Sequence, residues 1–231
     1  MNDNVIKNQE IQFLDWGKIK YNKAWHSQRE MFDENVSLKS QKKRSFNKFV
    51  FCEHYPVITL GKSGHRDNLL INTSILEKKN IEYVEIDRGG DITFHGPGQI
   101  VGYPIFDLDN FDMGLKKYVW TIEQIIINVL LTYDIKAERS IGASGVWLDV
   151  GTPKERKICA LGIKSSRFVT MHGFAFNVTT DLSNFSLINP CGFINKGVTS
   201  MEKELGYAPD INEVKKRIKE QVSTLFVQPL H

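Results

Sequence analysis

The sequence predicts an α+β fold in which helices flank a mixed or antiparallel sheet. Its most regular segment, residues 115–133, repeats apolar residues at spacings of three and four. Such a wide apolar face is typical of a helix that packs on a sheet. The strand-like segments 146–150, 157–165 and 168–178 follow one another without an intervening helix, which predicts antiparallel neighbours. Elsewhere helices and strands interleave without strict β-α-β alternation, and this favours the α+β class.

Length and composition restrict the class of protein. With 231 residues, of which 41% are hydrophobic, we expect a single domain over residues 1–231 with a sizeable core. The net charge of +3 is too small to predict a nucleic-acid-binding surface. No apolar run approaches the roughly 20 residues that a membrane-spanning helix needs, so no membrane association is expected.

The three cysteines, Cys52, Cys159 and Cys191, are odd in number and widely spaced. Because neither a signal peptide nor metal-ligand spacing accompanies them, they indicate free thiols, no metal site and a soluble, cytoplasmic protein. Cys52 and Cys159 lie within apolar strand patterns and are expected in the core. Cys191 lies in a loop between Pro190 and Gly192, which makes it the candidate for chemistry.

The N-terminal part of the chain is predicted to begin with a tail and a helix. Residues 1–12 are polar and are predicted to be loosely ordered. An amphipathic pattern predicts a helix over residues 15–37. Further along, Asn72 or Thr73 is expected to cap a short helix that ends at Lys79. The predicted strands in this part cover residues 49–53, 57–60 and 81–86.

The remaining elements follow from turn and strand signals. Residues 99–108 are β-rich, and Pro104 predicts that this strand lies at an edge or bends there. Residues 181–193 are irregular. An amphipathic helix is predicted over residues 211–226.

Residues 88–103 form a glycine-rich stretch between the predicted strand 81–86 and the β-rich segment that follows. The stretch contains five glycines and one proline, so turns and close backbone approach are expected there. Glycines alone would favour a plain turn. Polar side chains in the same span favour a binding site instead: Arg88, Thr93, His95 and Gln99.

The loop cysteine needs a neighbour that lowers its pKa, because the thiolate is the reactive form of a thiol. A histidine could supply this effect, from His95 or His172, and so could a lysine, from Lys157 or Lys164. Spacing does not decide between histidine and lysine. Lys157 and Lys164 are seven residues apart, so on a regular strand they face opposite sides and only one can face the site.

Two basic clusters, residues 39–44 and 215–219, stand out against the mild net charge. Solvated surface is the plain interpretation of such clusters. The alternative is a docking patch for an acidic partner.

The glycine-rich stretch and three later segments resemble one known family. The pattern Arg88-Gly89-Gly90-x-x-Thr93-Phe94-His95-x-x-Gly98-Gln99-x-Val101-x-Tyr103 resembles the signature of the lipoyl(octanoyl) transferases. Residues 157–162, 170–177 and 189–192 resemble that family's later blocks in the same order. The resemblance covers roughly residues 12 to 205 and leaves the N-terminal tail and the last helix unassigned.

The resemblance implies a fold, an activity and a set of site residues. The implied fold is that of the catalytic domain of biotin and lipoate protein ligases. The implied reaction transfers an octanoyl group from octanoyl-acyl carrier protein to a lysine on the lipoyl domains of 2-oxoacid dehydrogenase complexes and the glycine cleavage H protein, without a cofactor or metal. Cys191 matches the acyl-thioester cysteine, and Lys157 matches the lysine that lowers its pKa. The substrate-binding positions implied are Arg88, Gly89, Gly90, Asp91, Ile92, Thr93, Phe94, His95, Ala160, Leu161, Gly162, Gly173, Phe174 and Ala175.

Two other functions are weighed against this one. An ATP-dependent lipoate or biotin protein ligase on the same fold would activate a free acid, and Cys191 would have no task in it. A non-catalytic module that binds an acyl carrier would need neither Cys191 nor Lys157. The two residues together therefore favour the transferase.

Overall fold

The computed structural model describes residues 7–189 and 196–227 and confirms the α+β prediction. In these residues a large mixed sheet and a small sheet are flanked by helices. The strands are β1 (Ile11–Ile19), β2 (Asn47–His54), β3 (Val57–Leu60), β4 (Glu82–Glu85), β5 (Ile92–His95), β6 (Gln99–Ile105), β7 (Glu138–Ser140), β8 (Ala143–Leu148), β9 (Arg156–Ser166), β10 (Val169–Asn177) and β11 (Gly197–Val198). The helices are α1 (Tyr21–Ser40), α2 (Thr73–Lys78), α3 (Leu115–Leu131), α4 (Met201–Leu205) and α5 (Ile211–Val227).

The large sheet has the strand order β1-β2-β6-β10-β9-β8-β7, and β11 pairs with β9 outside this path. The pairs β1–β2 and β9–β11 are parallel. The other pairs are antiparallel, including the successive strands β8, β9 and β10 that the sequence predicted as antiparallel neighbours.

The small sheet has the order β4-β3-β5, with β3 parallel to β4 and antiparallel to β5. The loop before β5 reaches the large sheet, because Gly89 N donates a hydrogen bond to Ile163 O at 3.1 Å. The start of the glycine-rich stretch therefore lies where the two sheets meet.

Both faces of the large sheet are covered. On β2, Phe49 and Phe51 belong to the main core together with α3 and α5, whereas Val50 and Cys52 pack with Ala24 of α1 on the other face. This alternation is the period-two pattern of a strand buried on both sides. The apolar face predicted for α3 is buried: Tyr118, Ile122, Ile125, Ile126, Val129 and Leu130.

The prediction of a loosely ordered N-terminal tail is wrong for residues 8–12. Asn8 is buried, its side chain donates to Ser45 O at 2.9 Å, and its backbone N–H donates to Asn110 Oδ1 at 3.0 Å. Strand β1 begins at Ile11. At least one of the polar side chains that suggested a loose tail, that of Asn8, is therefore hydrogen-bonded inside the fold.

The helix predicted from residue 15 begins later, at Tyr21, because residues 11–19 form β1. Two local features of residues 15–17 are incompatible with a helix at this position. Gly17 has φ +58, and its N–H donates to Asp15 Oδ1 at 2.9 Å within an irregularity of the β1–β2 ladder. Parallel pairing with β2, a tertiary contact, overrides the helical pattern.

The edge position predicted from Pro104 is also wrong, since β6 lies between β2 and β10. The pairing with β10 extends only from Gln99 to Gly102, so the missing N–H of the proline interrupts no bond on that side. Instead, the Thr170 hydroxyl donates to Pro104 O at 2.8 Å.

Other predicted elements are confirmed. The strands expected over 49–53, 57–60 and 81–86 correspond to β2, β3 and β4, and the last predicted helix is α5. Asn72 caps α2, because its side chain accepts a hydrogen bond from Ile75 N. In the segment 181–193 that was predicted to be irregular, Leu182–Leu187 form a 3-10 helix, and residues 190–193 lie outside the described residues.

Candidate active site

A cavity of about 1050 Å³ is lined by residues of both sheets. Residues 88–93 supply one wall, and β9 and β10 supply another through residues 160–163 and 172–175. Trp147 and Lys157 also lie on its surface. The volume is at the upper end of the range of about 300–1000 Å³ that small-molecule sites occupy.

Glycines allow the walls to approach each other closely. A Cβ atom on Gly162 would lie 2.8 Å from Gly89 O, and one on Gly173 would lie 2.0 Å from Gly102 O. Neither contact leaves room for a side chain. Backbone rather than side chains therefore forms this part of the cavity wall.

Arg88 fixes the glycine-rich stretch to the small sheet from inside. Its guanidinium Nη2 donates to Thr59 O at 2.9 Å and to Thr59 Oγ1 at 3.0 Å, while Nη1 donates to Gly89 O at 3.0 Å. The side chain is buried, so these charge-assisted bonds hold the loop in a low-dielectric setting.

His95 belongs to a buried chain of hydrogen bonds. Burial lowers the pKa of His95 to about 3, so the ring is neutral near pH 7. Its Nδ1 lies 2.8 Å from Gln99 Oε1, which can only accept, so Nδ1 carries the proton. Gln99 Nε2 donates to Asn177 Oδ1 at 2.9 Å, and Asn177 Nδ2 donates to Thr199 O at 3.0 Å. His95 is thus a fixed donor in a structural network.

His172 and Asp87 form a second polar group beside the cavity. His172 Nε2 lies 3.0 Å from Asp87 Oδ1, and Lys164 Nζ lies 2.6 Å from Asp87 Oδ2. The hydrogen bond from His172 and the pairing with Lys164 hold the pKa of Asp87 well below its ordinary value. Burial lowers the pKa of His172. His172 also has φ +60 within β10, a left-handed backbone that residues with a Cβ rarely adopt.

The two candidate lysines of β9 have separate environments. Lys157 lines the cavity, with its Nζ 4.4 Å from the centre of the Trp147 ring. Lys164 is not among the described residues that line the cavity, and it is engaged by Asp87. Only Lys157 of the two is thus on the cavity surface, as predicted, although the extra residue Ile158 in β9 breaks the regular alternation on which that prediction was based.

The structure brings together the predicted site residues that it describes, with one exception. The predicted positions on the cavity surface are Arg88, Gly89, Gly90, Asp91, Ile92, Thr93, His95, Lys157, Ala160, Leu161, Gly162, Gly173, Phe174 and Ala175. Phe94 instead belongs to the core of the small sheet and packs against the ring of Phe185 at 5.7 Å. It lies on the opposite face of β5 from Thr93 and His95. Cys191 lies outside the described residues.

Three residues of this region were not predicted. Asp87 precedes the motif and holds His172 and Lys164, while Trp147 and Lys196 lie beside Lys157 on the cavity surface. Lys196 Nζ is 4.9 Å from the Trp147 ring centre and 2.7 Å from Glu155 Oε1. A strand pattern predicted only burial at residue 147, and no sequence signal indicated the other two residues.

The two described cysteines are buried, as predicted for the core. Burial raises the pKa of both the Cys52 and the Cys159 thiols, which suppresses the thiolate. Across residues 7–189 and 196–227, no group of three or more His, Cys, Asp or Glu side chains is placed to hold a metal ion. In the same residues no helix has the length and apolar character needed to cross a bilayer.

The sequence model of the family described as "Lipoyl protein ligase A/B catalytic domain" matches residues 20–223. The chain belongs to this family. It is 50% identical over 219 residues to an octanoyltransferase of Parabacteroides distasonis, which covers 94% of this chain and 99% of that protein. It is 51% identical over 215 residues to an octanoyltransferase of Porphyromonas gingivalis, which covers 93% of this chain but only 44% of that protein. With this similarity across nearly its whole length, the chain is an acyltransferase enzyme.

Solved structures confirm the predicted ligase-like fold of this family member. A bipartite lipoate protein ligase from Thermoplasma acidophilum has a TM-score of 0.69 at 17% identity and covers 94% of this chain and 83% of its own. The biotin protein ligase of Aquifex aeolicus has a TM-score of 0.52 at 13% identity and covers 96% of this chain and 73% of its own. The lipoate ligase is therefore the nearer fold of these two.

Proposed function

We propose that the chain is one catalytic domain that transfers an octanoyl group to a lysine of a lipoyl domain, as a step of lipoate biosynthesis. The observation that carries this proposal is the cavity, whose surface gathers three sequence-distant motif segments around Lys157. The identity of the acyl group is inferred from the half-identical relatives, which are named octanoyltransferases. The proposed donor is octanoyl-acyl carrier protein, and the proposed acceptors are lipoyl domains of 2-oxoacid dehydrogenase complexes and of the glycine cleavage H protein.

The proposed nucleophile is Cys191, assigned from the motif around it. Its thiolate attacks the thioester carbon of the donor, forming a new C–S bond while the pantetheine thiolate leaves and takes up a proton. One thioester replaces another, so this exchange changes the free energy little. The acceptor amine then attacks the acyl-enzyme, the C–N bond forms, and the Cys191 thiolate leaves. Amide formation drives this second step.

Lys157 is the proposed proton carrier of both steps. An ammonium beside a thiol favours the thiolate, and an amine can take the proton that the attacking lysine loses. The position of Lys157 on the cavity surface supports this role, and the burial of Cys52 and Cys159 makes those two thiols poor alternatives to Cys191.

The octanoyl chain is proposed to lie along the backbone walls of the cavity. Residues 88–95 apart from the buried Phe94, together with 160–162 and 173–175, are the proposed binding positions. The glycines let these backbone segments pack closely against one another, so the octanoyl chain would contact backbone along these walls. Leu161, Ile163 and Phe174 add apolar surface to the same cavity.

Intact-mass spectrometry tests the proposal. The wild-type chain is incubated with octanoyl-acyl carrier protein without ATP, and we expect a mass gain of one octanoyl group that hydroxylamine removes. Cys191→Ser and Cys191→Ala should gain nothing. Peptide mapping that places the adduct on Cys52 or Cys159 would reject Cys191, and acylation that requires ATP and free octanoate would favour a ligase.

A further inference from the structure

Trp147 contacts two ammonium groups at the cavity surface, and we infer that it is the positioning residue for Lys157. Its ring centre is 4.4 Å from Lys157 Nζ and 4.9 Å from Lys196 Nζ. The indole is 2% exposed and both lysines are half-buried, so the contacts are partly shielded from water, which strengthens cation–π attraction. The inference rests on the proposed function of Lys157 as proton carrier.

An irregularity in the β8–β9 ladder directs Lys157 toward the indole. Val146 pairs with Cys159, whereas the next residue, Trp147, pairs with Lys157. One residue of β9, Ile158, is therefore extra. Such a bulge re-aims the side chains beside it, and here it makes Lys157 and Trp147 direct cross-strand partners.

Because Gly145 has no side chain, the path along which the Lys157 side chain runs stays open. A Cβ atom on Gly145 would lie 3.4 Å from Lys157 Cε and 2.5 Å from Cys159 O. Gly145 has φ +125, a conformation that favours glycine. Its N–H donates to the buried carboxylate of Glu123 at 2.9 Å, and this hydrogen bond fixes the middle of β8 to α3. The methylene groups of Lys157 thus pass over Gly145, where no side chain blocks them, before the ammonium reaches Trp147.

The backbone of Lys157 is held from the other side as well. Lys157 pairs with Val198 of the parallel strand β11, and its carbonyl accepts a hydrogen bond from Thr199 N at 2.9 Å. With the backbone fixed between β8 and β11, the side-chain torsions are the remaining freedom. The indole restricts those torsions by attracting the ammonium.

An indole face suits a proton carrier better than a carboxylate does. The ring attracts the ammonium through its quadrupole but has no site that accepts the proton. It therefore helps to locate the charge without competing for the proton. Trp147 also donates its own Nε1–H to Ala143 O at 3.3 Å, which fixes the ring in its plane.

Nuclear magnetic resonance tests the contact without any reference to activity. Lysines are labelled with carbon-13, and the Lys157 and Lys196 signals are assigned by their loss in Lys157→Met and Lys196→Met. Ring current should move the ε-methylene protons of Lys157 upfield in the wild type and in Trp147→Phe, and back to the random-coil position in Trp147→Leu. Trp120→Leu is the matched control, because Trp120 also carries a cation, Arg139, at 4.2 Å but is exposed and lies outside the cavity surface. A random-coil Lys157 signal in the wild type would overturn the inference with no variant needed.

Kinetics then test the consequence. Trp147→Leu should lower kcat for octanoyl transfer about tenfold to a hundredfold with little change in KM, because a misplaced group loses rate rather than binding. Trp147→Phe should recover most of this loss, and Trp120→Leu should show none. The apparent pKa of Cys191 alkylation should rise in Trp147→Leu toward the ordinary thiol value of about 8.5. Equal rates for the Leu and Phe variants would contradict the inference, whereas a wild type that transfers no octanoyl group would instead contradict the proposed function.

Discussion

Strand β9 carries a lysine near each end, and the two are held in different ways. Lys157 lies over the indole of Trp147, whereas Lys164 pairs with the Asp87 carboxylate at 2.6 Å. Seven residues separate them, roughly 23 Å of extended strand. A carboxylate stabilises an ammonium and can accept its proton, while an aromatic face attracts the ammonium and cannot accept its proton. The contrast separates a lysine suited to structure from one suited to proton transfer.

The same contrast applies to the groups around each lysine. Near Lys164, His172 and Asp87 form a closed hydrogen-bonded set that ties β10 to the loop before Arg88. Near Lys157, the neighbouring cation Lys196 shares the indole, and both side chains lie on the cavity surface. One end of β9 therefore braces the cavity wall, and the other offers the site a cation.

Replacing each lysine by methionine gives the largest expected difference between the two ends. Lys157→Met keeps a similar length but removes the charge, so acylation of Cys191 should slow by on the order of a hundredfold or more. The pKa of the thiol, read from the pH dependence of iodoacetamide alkylation, should rise. Lys164→Met is the matched control and should change neither quantity. Reversed behaviour of the two variants would exchange the roles assigned to the two ends.

This difference was partly predictable from the sequence. The motif resemblance selected Lys157. The alternation argument that put Lys157 and Lys164 on opposite faces did not foresee the extra residue Ile158, which shifts the alternation of β9. The sequence could not show that Trp147 and Lys157 are cross-strand partners, because the pairing depends on one extra residue in the β8–β9 ladder. It also could not show Asp87 beside Lys164, a contact between residues 77 positions apart.

The regular elements were predicted where local pattern and tertiary packing agree. The apolar face of α3 and the antiparallel strands β8 to β10 are such cases. The start of α1 was not, because parallel pairing of residues 11–19 with β2 outweighs a helical pattern. Phe94 was placed at the site with the rest of its motif, although strand alternation directs it into the core.

Removing the carboxylate tests the bracing role of the Lys164 end. Asp87→Asn deletes the charge that both His172 and Lys164 contact, and we expect a loss of about 1 to 3 kcal/mol in the free energy of unfolding. Chemical denaturation measures this loss. Asp109→Asn is the control, since Asp109 also pairs with a lysine, Lys39, but is largely exposed. We expect that variant to change stability by less than about 0.5 kcal/mol. Equal losses in both variants would remove the special role of Asp87.

The buried histidines and the Asp87 group should lower the stability of the protein in acid over different pH ranges. Burial lowers the pKa of His54 to about 4 and of His95 to about 3, so the unfolded chain binds protons below pH 6.5 that the native chain does not. Stability should therefore fall as the pH drops from 6.5, by roughly 1 kcal/mol per pH unit for each ring. The depressed pKa of Asp87 contributes stability that is present at neutral pH and is lost only below its ordinary value of 3.8.

Denaturation curves at several pH values separate these ranges. His95→Gln should flatten the decline between pH 6.5 and about 4, whereas Asp87→Asn should not flatten it, because the Asp87 carboxylate raises the pKa of the buried His172. His26→Gln is the control, because His26 is exposed on α1. A wild type whose stability does not change between these pH values would contradict the neutral, buried state of His95.

The smallest expected effect concerns partner docking by the two basic clusters. Their inner members are already engaged, since Lys39 pairs with Asp107 at 2.5 Å and Lys215 pairs with Asp15 at 3.0 Å. Whatever their local contacts, the exposed members can attract an acidic acyl carrier or lipoyl domain over long range: Lys42, Lys43, Lys216 and Lys219.

Reversing two exposed charges in each cluster measures this attraction. Lys42→Glu with Lys43→Glu, and Lys216→Glu with Lys219→Glu, should each raise the apparent KM for the carrier-bound donor about two- to fourfold at low salt. The rise should vanish as added salt shortens the screening length to about 8 Å, because steering acts at a distance. An increase that persists at high salt in one cluster alone would indicate direct contact there. No increase in either variant at low salt would leave both clusters as solvated surface, and recognition of the partner would then depend on the cavity and its rim.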